Sequence, residues 1–284
     1  MSDQSILSIE AAIGYIEGHL EDKLELETVA EAVHYSKYHL HRQFSETTGM
    51  TIHDYIKRRQ LTEGASLLAF SEKPILEIAL VCGYESQQAF SSVFKAMYKQ
   101  PPGEYRDRGR FYPLQLPFSL RQNLGMGQLT EKEIRLARKE DIPDWMDLMR
   151  LAVDGYPVMD EADYRERLKE RIGGKGALLL RDGPVLIGAL AFDDSAGWVD
   201  FLGVHPQYRS GGIQKLLLDV LRETYLPGTE ISITTYREKD RADTGHRALL
   251  KRLGFEEREL LTEFGYPTQR FVLPPNKTGG KIYG

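Results

Sequence analysis

One cysteine, Cys82, stands in 284 residues, so the chain cannot close a disulfide on itself and the composition fits a reducing compartment. No apolar run approaches the eighteen residues of a membrane span, and residues 1–10 lack the basic start and apolar stretch of a signal peptide. A cytoplasmic protein with no membrane partner is therefore expected. Basic charge is scarce as well. The net charge is -5, and residues 1–110 carry 12 Lys and Arg against 16 Asp and Glu. Any surface that binds nucleic acid must then be a local cluster on an acidic background. The hydrophobic fraction of 41% excludes a disordered chain, and the length suits two domains, each with its own core.

What is present is a short internal repeat. Ala30, Val33 and Tyr35, followed by Leu40 and Phe44, recur as Ala79, Cys82 and Tyr84, followed by Phe90 and Phe94. In each copy a short apolar helix (residues 26–33, then 75–81) precedes a break and a longer helix (36–47, then 86–98), which is the pattern of a helix-turn-helix. The alanines permit close crossing, and the paired apolar anchors at i and i+4 fix which side of the second helix faces the core. That leaves Lys37, Tyr38, His41, Arg42 and Ser45 outward on one helix, and Gln87, Gln88, Ser91, Ser92 and Lys95 on the other, at the same spacing. Arg pairs bidentately with guanine and Gln with adenine, while Ser and Lys hold phosphates. Between the copies the pattern predicts one long helix over 52–69. Gly49 is read as a stop before it, Thr51 and Asp54 as a capping box, and Pro74 as the first turn of the next helix. Lys57, Arg58 and Arg59 are expected to reach phosphates.

Residues 9–106 resemble the AraC/XylS family. The motifs that carry the resemblance are Tyr35-Ser36-x-Tyr38-His39-Leu40-x-Arg42-x-Phe44, Gly83-Tyr84-Glu85-Ser86-Gln87-Gln88-x-Phe90 and Pro101-Pro102-Gly103-Glu104-Tyr105-Arg106. The resemblance is greatest to the multidrug-resistance and superoxide-response activators of bacteria. It implies base contacts from Tyr38, His41 and Arg42 and from Gln87, Gln88 and Ser92, double-stranded promoter DNA as partner, and contact with RNA polymerase. His41 stands where that group has Gln and Ser92 where it has Arg, so a different target sequence is implied.

Residues 109–130 combine Pro113, Pro117, Gly125 and Gly127 with apolar side chains, which marks a linker too apolar to be a free tether. Residues 111–118 are expected to pack. From residue 131 strands and helices alternate, so an α/β domain with a mixed sheet is expected to 275, with a tail over 276–284. Strands are read at 134–137, 177–181, 185–192, 198–204, 231–236 and 270–273. Within this domain Val204 ends a strand, and Arg209, Ser210, Gly211, Gly212, Ile213 and Gln214 form a glycine turn opening a helix, an arrangement that exposes backbone N–H groups to an anion.

This half resembles the GNAT family, which implies acetyl-CoA or another acyl-CoA as cofactor, held through Val204 and residues 209–214. Gln214 departs from the small residue of that family's loop, either crowding the pyrophosphate or donating to it. The same resemblance implies a carboxylate base on the fourth strand, where Asp200 falls, and a tyrosine acid on the last helix, where Leu250 stands instead. His246, Tyr208 and Tyr236 are the remaining candidates for proton donor. No metal site is expected. The sequence thus describes an all-α double helix-turn-helix domain (1–108) joined to an α/β GNAT-like domain. The expected function is DNA-binding regulation with a small effector, acyl-CoA or amine, sensed by the second half. The alternative is a DNA-binding N-acetyltransferase.

Overall fold

A computed structural model describes residues 3–120, 130–152, 160–209, 211–263 and 265–275. Ser210, the second half of the expected linker and the tail at 276–284 lie outside the described residues. The chain divides into two units: Met1–Gly125 with Met149–Met159 and His205–Gly211, and Met126–Leu148 with Asp160–Val204 and Gly212–Gly284. No helix among the described residues is long and apolar enough to cross a membrane.

The first unit is built from α1 (Asp3–Gly18), α2 (Leu26–Ala32), α3 (Lys37–Thr48), α4 (Ile52–Phe70), α5 (Ile75–Val81), α6 (Gln87–Tyr98) and α7 (Pro102–Arg108). Hydroxyl caps fix where the second helix of each repeat begins. Ser36 accepts from the His39 amide at 3.4 Å and Ser86 from the Ala89 amide at 3.2 Å. Thr51 accepts from the Asp54 amide at 3.1 Å and its hydroxyl donates to the Asp54 carboxylate at 2.8 Å, which starts α4. Pro74 sits at the N-cap of α5, one residue before the first turn expected for it.

The repeat is also written in the backbone. Tyr35 N–H donates to Ala30 O and His34 N–H to Glu31 O, while Tyr84 N–H donates to Ala79 O and Gly83 N–H to Leu80 O. The residue that reverses the chain is left-handed in both copies, His34 with φ 59° and Gly83 with φ 75°. Glycine adopts that conformation without strain and histidine does not. At Gly83 a Cβ would stand 2.6 Å from Gln60 Nε2 and 2.9 Å from the Asp22 carbonyl oxygen. Gly83→Ala is therefore expected to destabilise the helical unit by about 2 kcal/mol, and His34→Gly, at an exposed turn, to stabilise it by about 1 kcal/mol. Equilibrium denaturation followed by helical circular dichroism checks both signs.

Two apolar cores result. Ile9, Ile13 and Ile16 of α1 pack with Val29, Ala30, Leu40, Phe44, Tyr55 and Ile56 around the first repeat. Around the second, Phe94 stacks on Tyr98 at 4.4 Å and meets Phe90 and Tyr105 at 5.3 Å. The helix α4 joins the cores, with eleven of its nineteen residues buried. Of the residues expected to pack in the linker, Tyr112, Leu114 and Phe118 are buried, whereas Phe111 is 37% exposed and rests against the ring of Phe70.

The second unit is organised on a seven-stranded mixed sheet: β1 (Arg135–Leu136), β2 (Ala177–Asp182), β3 (Val185–Asp193), β4 (Trp198–Val204), β5 (Ile231–Tyr236), β6 (Glu256–Glu263) and β7 (Tyr266–Leu273), in the order β1-β2-β3-β4-β5-β7-β6. All pairs are antiparallel except β4 with β5, which are parallel and meet at one end only, Trp198 opposite Ser232. With it go α8 (Ile142–Ala152) as far as Leu148, α9 (Glu161–Gly173), α10 (Ile213–Val220) and α11 (His246–Arg252).

Near its first strand the buried Asp141 accepts from Arg135 at 2.7 and 2.8 Å, from Arg181 at 3.0 Å and from the Arg138 amide at 2.9 Å. The Arg135 guanidinium and these further donors hold its carboxyl down at about 2. A carboxyl depressed on folding stabilises above its unfolded value near 4, and that contribution disappears as pH falls towards 2. Lowering the pH from about 5 to 2 is therefore expected to remove about 2 kcal/mol, and Asp141→Asn to flatten that slope. Both tryptophans, Trp145 and Trp198, lie in this unit, so tryptophan fluorescence of the whole chain reads its unfolding.

Candidate functional site

The apolar anchors decide what the second helix of each repeat shows to solvent. On α3, Leu40 and Phe44 are fully buried, and Lys37, Tyr38, His41 and Arg42 are exposed, Tyr38 to 79%. On α6, Phe90 and Phe94 are fully buried, and Gln87, Gln88, Ser92 and Lys95 are exposed. Ser45 and Ser91 are half-buried, and the Ser45 hydroxyl is buried without a hydrogen-bond partner, so the exposed stripe stops short of it on α3. The two stripes share spacing but differ in charge, one mostly cationic or aromatic and the other mostly neutral amide and hydroxyl.

Lys37 is not idle on that surface. Its ammonium donates to Glu27 of α2 at 2.7 Å and lies 5.5 Å from the centre of the Tyr38 ring. The bond from Lys37 lowers the Glu27 carboxyl, and the same bond raises Lys37. A phosphate must draw Lys37 away from Glu27 before Lys37 can serve it. Sequence reasoning missed this pairing, since in the second repeat the equivalent positions hold Leu76 and Gln87.

The expectation that Arg58 and Arg59 reach phosphates is corrected. Both are buried, at 2% and 5% exposure, and Lys57 is half-buried. Arg59 donates through Nε and Nη2 to the carboxylate of Glu17 at 2.8–3.0 Å, through Nη2 to Glu63 at 3.0 Å and through Nη1 to the Gln115 carbonyl at 3.1 Å. The cause is the position of α4 between the two cores, where a charged side chain turns inward to partners on α1 and on the following segment.

In the sheet unit, Asp200 occupies a bulge: β3 pairs Ala191 with Phe201 and Phe192 with Val199, leaving Asp200 as the extra residue. A bulge re-aims a side chain. Here it goes to Arg171 of α9, whose Nε donates to Asp200 at 2.6 Å while Nη1 donates to Asp193 at 2.8 Å. No local motif announces Arg171, which lies 29 residues earlier in the chain. One oxygen of the Asp200 carboxylate is thus already engaged by a guanidinium. Leu250 is 3% exposed and packs as a core residue, Tyr236 and Tyr208 are buried, and His246 is half-buried.

The glycine turn is split in its surroundings. Gly212 is left-handed at φ 72° and caps α10, and Gly211 and Gly212 are exposed. Val204, Ile213 and Gln214 are buried. Arg209 groups with the helical unit, where its Nη1 donates to the Thr48 carbonyl at the end of α3 at 3.3 Å.

With this geometry in view, comparison with known proteins is decisive for the helical half. A helix-turn-helix domain model matches residues 29–108. The regulatory protein SoxS of Escherichia coli (strain K12) is 41% identical over 108 residues, which are 38% of this chain and 99% of SoxS. The chain belongs to the AraC/XylS-type helix-turn-helix family. The right origin-binding protein of Escherichia coli (strain K12) is 39% identical to this AraC/XylS-type chain over 129 residues, 45% of it; the match spans 43% of that relative's length. An acetyltransferase of the GNAT family from Bacillus cereus ATCC 10987 is 16% identical with a TM-score of 0.39, covering 50% of this chain and 96% of that one, a likeness too slight to carry an argument.

Proposed function

We propose that this AraC/XylS-type chain is a sequence-specific DNA-binding transcriptional regulator, with α3 and α6 each entering a major groove of double-stranded promoter DNA. The observation that carries the reading is the duplication: two helices with the same serine cap, the same reversed turn before them and the same outward spacing of polar side chains. A scaffold has no need of two matched polar faces, whereas reading two groove segments requires them. The names of the relatives, a right origin-binding protein and a regulatory protein, agree with it. Cytoplasmic location and contact with RNA polymerase belong to the same proposal. Selection of duplexes from a random-sequence pool by the full chain tests it, and enrichment of no sequence would refute it.

The reading extends to the mixed-sheet unit as a GNAT-like sensor of an acyl-CoA or a small amine. Its support is the parallel pair β4 and β5, joined only where both strands begin, because ligands of α/β sheets bind beyond strand C-termini where the order changes. Sensing is favoured over catalysis by the ion pair on Asp200 and by an apolar Leu250 where the family resemblance implies a tyrosine acid. Acetyl-CoA or an amine panel is expected to raise the thermal transition read by tryptophan fluorescence and to change DNA affinity of the full chain. Thiol release from acetyl-CoA that Asp200→Ala abolishes would instead assign an N-acetyltransferase.

A further inference from the structure

Residues 111–120 leave α7 and run back along α4. Pro113 and Pro117 hold the segment extended and contribute no N–H, while each intervening donor named here goes to a specific acceptor. Tyr112 N–H donates to the Tyr105 hydroxyl at 2.9 Å, and the Tyr112 carbonyl accepts from Tyr98 at 3.0 Å. Leu114 N–H and Gln115 N–H both donate to Oγ1 of Thr62, at 3.1 and 3.2 Å, and that hydroxyl donates to Arg58 O at 2.8 Å. Phe118 N–H donates to the Tyr55 hydroxyl at 3.3 Å, its ring stacks on Tyr55 at 5.1 Å, and Phe118 and Leu120 enter the core around the first repeat. The segment thus starts in the core of the second repeat and ends in that of the first, antiparallel to a helix about 28 Å long.

We infer that this segment is a brace that fixes the spacing and angle of α3 and α6, with Thr62 as its positioning residue, and that it sets selectivity for the spacing of the two DNA half-sites. The selectivity rests on the DNA-binding reading above; the brace does not. Thr62 is 3% exposed at mid-helix, and its hydroxyl is acceptor for two successive amides of the segment, a role valine cannot fill and serine can.

The test uses the full chain and the duplex it selects from a random pool. Inserting or removing one base pair between the half-sites is expected to weaken wild type about 10-fold or more, and Thr62→Val less than about 3-fold, with Thr62→Ser restoring the wild-type penalty. Equal penalties in wild type and Thr62→Val would overturn the selectivity claim. Without DNA, spin labels at Glu46→Cys on α3 and Ser92→Cys on α6 report the helices directly, the native Cys82 being 1% exposed. A narrow distance distribution in wild type is expected to broaden in Thr62→Val and in Tyr98→Phe, which keeps its ring and loses the hydroxyl that bonds the Tyr112 carbonyl of the segment and the Thr62 side chain. An unchanged distribution in both variants would overturn the brace. If the chain selects no duplex, the DNA reading fails, and the label distances decide the brace by themselves.

Discussion

Arg42→Ala is expected to lower affinity for the selected duplex 10- to 100-fold and to relax the base preference at one position of the first half-site. Arg42 is exposed on α3 beside Tyr38 and His41, and no carboxylate among the described residues holds it. Its guanidinium is therefore available for a bidentate contact at no cost of a broken ion pair, unlike Lys37 on Glu27. The difference makes a second expectation: Glu27→Ala, which releases Lys37 and removes a negative charge from the face, strengthens binding and steepens its salt dependence. Gln88→Ala on α6 is expected to weaken binding with little change of salt slope, because a neutral side chain displaces no counterion. Titrations of each variant at several salt concentrations separate these outcomes. A salt slope equally reduced by Gln88→Ala and Arg42→Ala would contradict the reading of Arg42 as a charged contact and Gln88 as a neutral one.

The largest stability effect is expected at Glu17. Removing its carboxylate leaves Arg59, with a side chain 6% exposed, short of its main partner, and a buried charge so stranded costs about 3–5 kcal/mol. Tyr55 loses a partner too, since its hydroxyl donates to Glu17 at 2.7 Å. Glu63 remains within 3.0 Å of Arg59 but is half-exposed, so it offsets only part of the loss. Glu17→Ala should therefore unfold the helical unit at much lower denaturant, and Arg59→Met in that background should restore part of the midpoint, since the charge no longer needs a partner. Recovery by the second substitution separates a stranded charge from mere loss of packing on α1.

The sequence made the helical half legible because each signal there is local. Serine before a helix, a reversed residue after one, and apolar anchors four apart sit within a dozen residues of one another, and the repeat doubled each of them. Arg58 and Arg59 were misread because charge usually marks exposure, and only the placement of α4 between two cores shows that these side chains turn inward. The exposed edge strand β6 escaped notice for a related reason: five of its eight residues are charged, and its hydrogen bonds to β7 are what make it a strand. The pairing of Asp200 with Arg171 needed a bulge in β4 and a helix 29 residues away, neither of which has a spacing to read. The linker was legible in kind, apolar with prolines, but not in detail, because which donor meets Thr62 depends on register along α4.

Methylation protection of guanines on the selected duplex, probed with the full chain, tests the central claim most directly. Two protected major-groove patches about one helical turn apart are predicted, the first lost in Arg42→Ala and the second in Gln88→Ala. A single patch, or two patches that both survive in both variants, would contradict the assignment of α3 and α6 as the reading helices.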